Sequence, residues 1–383
     1  MPAEGVHRPA WAEVSTSALS HNLGVLRRVV PGARVCGVVK ANGYGHGEVL
    51  VARALQEAGV DHLAVAILDE GLELRQAGVH LPILLLAEIP ADTLDAALDA
   101  GLTVTVGSLA GARALVDTAE RRSEPVTCHL KVDTGMLRQG VGLDEALEAA
   151  RLLSASSAVD LEGLFTHFSV ADGETAEHRE FTRRQRERFA RVRRDLASVG
   201  IAPRIVHDSN SAGALGYDSG STTMIRPGLA LYGYLPAPWL GESLEQRGET
   251  LEPVMTLRAH VVARRRAEAG ERPSYGRWRA LERSANLVTV PFGYADGYPR
   301  RLFHAGSEVL IGGRRYPLAG MVTMDQLIVN CGDDDVAVGD EVVLLGRMGD
   351  ELISADDWAR WADTVTWEIL CGVSARVPRV LVP

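Results

Sequence analysis

The sequence predicts an α/β protein: an N-terminal (β/α)₈ TIM barrel over residues 1–240, then a mostly antiparallel β domain over residues 241–383. Three observations predict it. At 383 residues the chain exceeds one ordinary hydrophobic core, so two domains are expected. From about residue 34 to residue 226, short β-branched runs alternate with amphipathic stretches, the pattern of a parallel sheet wrapped by helices. After about residue 240 the helices thin out and short strands follow one another across Gly- and Asp-rich turns.

The strand candidates of the first region are RVCGVVK, HLAVAI, PILLLA, LTVTV, VTCHLKV, LEGLFT, PRIVH and TTMIR. Eight strands over about 200 residues suit a closed barrel. An open doubly wound sheet is the competitor, and no GxGxxG follows the first strand to favour it. Between the strands, GEVLVARALQEAG, DEALEAARLLSA and TAEHREFTRRQRERFARVRRDLASVG carry apolar residues at helical spacing. In the second region MTLRAHVVARRR, ANLVTVPF, SEVLIGG, RRYPLAG, QLIVNCG, DEVVLLG and RVPRVLV read as strands, with one clear helix at SADDWARWAD. The boundary is expected in GYLPAPWLGESLEQRGE, and residues 8–14 are expected to pair with the second domain.

Composition narrows the function. A net charge of −10 argues against a nucleic-acid partner, and the runs Arg183–Arg194 and Arg264–Arg266 are interleaved with acids or lie in predicted elements, as on solvated faces. No apolar stretch approaches the length of a membrane span, so no membrane partner is expected. The opening MPAEGVHRPAWAEV lacks the basic start and apolar middle of a signal peptide, which implies a cytoplasmic location. Cys36, Cys128, Cys331 and Cys371 are widely spaced, with no CxxC pair; they read as buried thiols, not as a disulfide framework or a metal site.

Of 40 basic residues only two, Lys40 and Lys131, are lysines. Both fall at the C-terminal ends of predicted strands, where (β/α)₈ barrels carry their active sites. Lysine can lose its proton when desolvated, and its neutral amine adds to a carbonyl; arginine does neither. A strand-end lysine in an ion pair is the plain alternative for Lys40, as a pair with Asp133 is for Lys131. Other strand ends add polar groups. His167 follows strand six; His207, Asn210 and Ser211 follow strand seven in VHDSNSAG; Arg226 and Gly228 follow strand eight in MIRPGLALYG. The loops after strands seven and eight often form a phosphate site, and ANGYGHG after Lys40 has the glycines of an anion-binding loop. An imine-forming lysine beside a phosphate site points to pyridoxal 5′-phosphate. A core histidine remains the alternative for His207.

The motifs VVKANGYGHG, HLKVDTGMLRQG, EGLFTHFSVAD, MIRPGLALYG, PSYGR, FGYADGYPRR and MVTMDQ, in this order and spacing, resemble the alanine racemase family over nearly the whole chain. The resemblance implies a cytoplasmic homodimer with shared active sites that makes D-alanine, a peptidoglycan precursor, from L-alanine. It implies that Lys40 holds the cofactor as an imine and is the base on one face, and that Tyr275 is the base on the other. Tyr44, Ser211 and the backbone at Gly228 and Leu229 would hold the phosphate, with Asn210 among the cofactor-binding residues. Arg226 would contact the pyridine nitrogen and keep it unprotonated, supported by His167. Arg138, Met324, Asp325 and Tyr294 would form the substrate pocket, and Arg300 would neighbour Tyr275. Lys131 would be carbamylated, so that it accepts hydrogen bonds from Arg138 instead of repelling it.

Three positions depart from the family pattern. Trp367 stands in VTWEIL where a phosphate-contacting tyrosine is usual, and an indole N–H offers only a donor. Leu137 replaces a frequent Gly, His or Asn, and Trp278 a common Thr. A racemase of another amino acid, such as serine or lysine, is one alternative reading. A non-catalytic pyridoxal-phosphate-binding protein is the other, although such proteins lack the segments PSYGR and MVTMDQ.

Overall fold

The computed structural model describes residues 7–122, 124–218, 220 and 222–383; residues 1–6, the start of the segment read for a leader, lie outside the described residues. The chain divides into two units. One comprises Ala18–Gly43 and Glu48–Glu252; the other comprises the residues through Ser17, the short segment Tyr44–Gly47, and Pro253–Pro383.

After β1 (Ala10–Ser15), eight strands follow in the first unit: β2 (Arg34–Val38), β3 (His62–Val65), β4 (Ile83–Leu85), β5 (Val104–Val106), β6 (Val126–Lys131), β7 (Val159–Phe165), β8 (Ile205–His207) and β9 (Met224–Ile225). They pair in parallel as β4-β3-β2-β9 and β5-β6-β7-β8. A bridge between Leu84 and Thr103 joins β4 to β5, and the Thr223 N–H donates to Val206 O at 2.8 Å between β8 and β9, so the ring closes as a (β/α)₈ barrel. Strands covered on both faces must be apolar throughout, which is why HLAV, ILL and VTV are wholly buried. The helices show the complementary pattern. Ala176–Ser198, capped by Thr175, buries Phe189, Val192 and Leu196, while Arg183 pairs with Glu180 and Glu187 on the solvent side.

In the second unit β1 pairs antiparallel with β10 (Met255–His260) and parallel with β18 (Arg379–Val382). The larger sheet runs β14-β13-β16-β10-β1-β18, with β13 (Glu308–Ile311), β14 (Arg314–Pro317) and β16 (Glu341–Met348); β17 (Glu351–Ile353) pairs with β16. A second sheet joins β11 (Ala263–Ala267), β12 (Ala285–Val290) and β15 (Leu327–Asn330). The expected helix spans Ala355–Ala362 behind a Ser354/Asp357 capping box. A second, Thr366–Cys371, was not expected; its N-cap is Val365, which offers no side-chain acceptor. The thiol reading also needs correction: Cys36, Cys128 and Cys331 are buried, but Cys371 is exposed at the end of that helix. Among the described residues no helix is long and apolar enough to cross a membrane.

Candidate active site

Lys40 follows β2 and opens an unusual turn. Ala41, Asn42, Gly43 and Tyr44 all have φ between 52° and 60°, a single turn of left-handed helix. An L-residue loses about 1–2 kcal/mol there, so outside contacts must hold the turn. The Glu70 carboxylate accepts the Ala41 N–H at 2.7 Å on one oxygen and the Ala66 N–H at 2.8 Å on the other. Asn42 Oδ1 accepts the Glu48 N–H at 3.1 Å, and the Gly43 N–H donates to Val39 O at 2.8 Å. Gly43 is needed for space as well as for φ, since a Cβ there would lie 3.2 Å from the Glu48 backbone. Glu70 escaped the sequence reading because an acid in the first turn of a helix looks like an ordinary solvated position.

Lys131 ends β6 and is buried. Its Nζ donates to Leu86 O at 3.1 Å and Gln139 Oε1 at 3.4 Å. Burial first, then the charges of Arg138, Arg226 and Lys40, bring its amine down to about 8. It does not pair with Asp133, whose carboxylate instead accepts the N–H groups of Gly135 (2.7 Å) and Arg138 (3.2 Å). Lys131, Arg138, Gln139 and His167 line one small pocket.

Arg226 is buried at the end of β9 and donates to Thr166 O at 2.8 Å, Asp208 O at 3.3 Å and His207 Nδ1 at 3.0 Å. His167 Nδ1 lies 3.4 Å from the same guanidinium. Burial and the Arg226 charge hold both histidines well below the usual range, so they are neutral acceptors toward it. No carboxylate forms an ion pair with Arg226 among the described residues. Asn210 caps Ser211–Gly216, its Oδ1 accepting the Gly213 N–H at 2.9 Å. Ser211 Oγ accepts the N–H groups of Gly228 (3.0 Å) and Ala230 (3.2 Å). Leu229 opens the next helical turn, Leu229–Tyr232, whose first N–H groups have no partner within the turn.

In the second unit Tyr275, Tyr294, Met324 and Asp325 come from three loops laced together through the backbone. Ser274 Oγ donates to Met321 O at 2.6 Å, and the N–H groups of Tyr294 and Ala295 donate to Thr323 O and Met324 O at 3.0 Å each. Ser274 has φ +67° and ψ −176°, a region nearly restricted to glycine, so its hydroxyl bond offsets strain directly before Tyr275. Asp325 is held by Arg376 at 2.7 Å, and Arg376 also faces Asp296, which is buried against Arg8. Tyr275 (73%), Trp278 (63%) and Met324 (52%) are exposed, a concentration of large apolar side chains. Tyr44 is buried, and burial raises its phenol, leaving it a neutral donor. Trp367 is half-buried on Thr366–Cys371, with no hydrogen bond to its indole among the described residues. Arg300 is exposed and shares neither hydrogen bond nor ion pair with Tyr275.

Leu137 is 90% exposed at φ +56°, which explains why Gly or Asn suits the position. Leu137→Gly is expected to stabilise the fold by about 1 kcal/mol. A denaturant titration checks this: the midpoint should rise at unchanged slope, and a lower midpoint contradicts it.

Known proteins share this fold over nearly the whole chain. The family model for the alanine racemase N-terminal domain matches residues 14–236, and that for the C-terminal domain matches residues 254–381. An alanine racemase of Symbiobacterium thermophilum is 43% identical over 97% of each chain, and one of Desulforamulus reducens is 40% identical over 98% of this chain and 99% of its own. Among solved structures, alanine racemase from Bacillus anthracis with bound L-Ala-P superimposes with a TM-score of 0.90 at 33% identity, covering 99% of this chain and 96% of that one. Histidine racemase from Leuconostoc mesenteroides gives 0.88 at 27% identity, covering 98% and 99%. With both domain models matched in order along nearly its whole length, the chain belongs to the alanine racemase family of isomerases.

Proposed function

We propose that the chain interconverts L- and D-alanine with pyridoxal 5′-phosphate, using Lys40 and Tyr275 as the two acid–base groups. One observation carries the reading: the barrel end gathers a buried arginine, with no carboxylate partner among the described residues, near a serine-and-amide cradle, in a chain whose lysines stand at strand ends. That donor set fits a phosphorylated pyridine. Ser211, whose Oγ already accepts two N–H groups, has its own proton free to give to a phosphate oxygen, and Leu229 opens a helical turn beside it. Arg226, satisfied so far only by neutral acceptors, can donate to a ring nitrogen but cannot protonate it. Tyr44 would add a neutral phenolic donor.

When bound, the cofactor supplies an electron-withdrawing ring that acidifies the substrate α-proton. The chain's own groups do the rest. Lys40 takes and returns the proton on one face, and the partner subunit's Tyr275 does so on the other. Arg138 receives the substrate carboxylate with help from the partner subunit's Met324 and Asp325, and the partner subunit's Tyr294 narrows the approach. The exposed Tyr275, Trp278 and Met324 support burial against a second copy. An amine near 8 beside Arg138, with Asp133 otherwise engaged, also supports reaction of Lys131 Nζ with carbon dioxide, the amine proton passing to solvent.

The test has two arms. Chiral chromatography over an amino-acid panel should show alanine racemised fastest; faster turnover of serine, lysine or histidine would transfer the reading to another substrate. Lys40→Ala and Tyr275→Phe chains, each inactive alone, should regain activity when mixed. No recovery despite demonstrated subunit exchange would exclude a shared site.

A further inference from the structure

A hydrogen-bonded chain runs through the barrel interior from Arg226 to an acid that the sequence reading passed over. Arg226 Nη1 lies 3.0 Å from His207 Nδ1, His207 Nε2 lies 2.8 Å from His129 Nδ1, and His129 Nε2 lies 3.3 Å from Glu162 Oε2. The far oxygen of Glu162 accepts from Arg204 at 3.1 Å, and Arg204 is also held by Asp160. A β-bulge makes this possible. Between β6 and β7, Cys128 pairs with Leu161 but His129 pairs with Gly163, so Glu162 is the extra residue and leaves the simple alternation of the strand. Gly163 clears the space, since a Cβ there would lie 2.4 Å from the His129 ring. Phe165 stacks on His207 at 4.6 Å and 10°, fixing that ring's plane.

The direction of this chain is set at both ends. A guanidinium only donates and an ionised carboxylate only accepts. His207 must therefore accept at Nδ1 and donate from Nε2, and His129 must do the same. Burial, with Arg226 nearby, keeps both rings neutral, so each has one proton to place.

We propose that Glu162 and His129 are positioning residues that select the His207 tautomer and thereby aim Arg226 at the cofactor's ring nitrogen; this rests on the function proposed above. Glutamine at position 162 makes the logic visible. Its single carbonyl oxygen would be contested by Arg204 and His129. With the oxygen given to Arg204, the amide N–H₂ donates to His129 Nε2, both histidines invert, and His207 Nδ1–H opposes the donors of Arg226. Removing Arg204 frees the oxygen for His129 and restores the original direction.

The experiment uses the full-length protein with ¹⁵N-histidine, before and after cofactor removal, with the His207 signals assigned through His207→Asn. The wild type should show His207 protonated at Nε2 only. Glu162→Gln should show Nδ1 protonation, with kcat reduced on the order of tenfold to a hundredfold and little change in KM. Glu162→Gln combined with Arg204→Ala should recover both tautomer and kcat. A wild-type His207 protonated at Nδ1 overturns the proposal even if the variants do not fold. So does an unchanged tautomer in Glu162→Gln, or an inverted one with full kcat. Absence of racemisation by the wild type would instead sink the functional reading and leave the tautomer result standing.

Discussion

Replacing Lys40 with arginine is expected to lower racemisation by more than about 10⁴-fold while the protein remains folded. The charge is kept, so a loss of that size separates amine chemistry from simple electrostatics. Guanidinium stays protonated above pH 12 and is too poor a nucleophile to add to an aldehyde. The fold gives reason to expect survival: the left-handed turn after position 40 is held by Glu70, Asn42 and Gly43. Two measurements check the prediction. Borohydride treatment of the wild type soaked in pyridoxal phosphate should fix the vitamer on the peptide containing residues 35–47, and Lys40→Arg should show none there. Thermal unfolding should be similar for both. Retention of more than a few per cent of the activity by Lys40→Arg would remove the amine from the mechanism and with it the proposed function.

Much of the barrel was legible because each strand is a short β-branched run between helical stretches, and both faces of such strands are buried. The polar groups at strand ends were legible for a related reason: a polar residue directly after an apolar run breaks a pattern. Groups inside strands were not. Glu162 in LEGLFT looks like an outward-facing residue of an alternating strand, and only the bulge, marked in sequence by nothing but Gly163, joins it to His129. The Ala41–Tyr44 turn was hidden likewise, since three of its four residues have side chains and give no sign of positive φ. Thr366–Cys371 has six residues and no capping acceptor, which leaves too little periodicity to detect. The alternative reading of Lys131, an ion pair with Asp133, is not met because the carboxylate is used by the turn that follows it, Gly135–Arg138. Proximity in sequence favoured the pair, but backbone donors reached the acid first.

Acidification from pH 7 to pH 5 is expected to lower the stability of this protein, before any carboxylate involved in ion pairs is titrated. The same buried histidines that organise Arg226 are responsible. His129 and His207 are almost fully buried, and burial lowers both below the ordinary 6.5; His62 and His167 shift in the same direction. Below pH 6.5 the unfolded chain takes up protons that the folded chain refuses, so stability falls as pH falls, by at most about 1.4 kcal/mol per unit for each such group. Glu48 works in the opposite sense. Burial, with Glu73 and Glu70 nearby, raises it to about 7, so between pH 7 and 4.5 the folded state binds a proton that the unfolded state does not. One of the four histidines is thereby offset, and the other three set the sign. Lys131, brought to about 8, is charged in both states over this range and adds no slope. Glu162 is depressed, so its contribution is present above the ordinary 4.5 and is lost only at more acid pH. Denaturant titrations at pH 7, 6 and 5 measure the slope directly, and against a total stability of about 5–15 kcal/mol even one such group is a sizeable fraction per unit. A flat or rising stability over that interval would mean that the rings accept protons in place. In that case the fixed polarity from Glu162 to Arg226 could not be maintained, because a doubly protonated His207 has no acceptor left for the guanidinium.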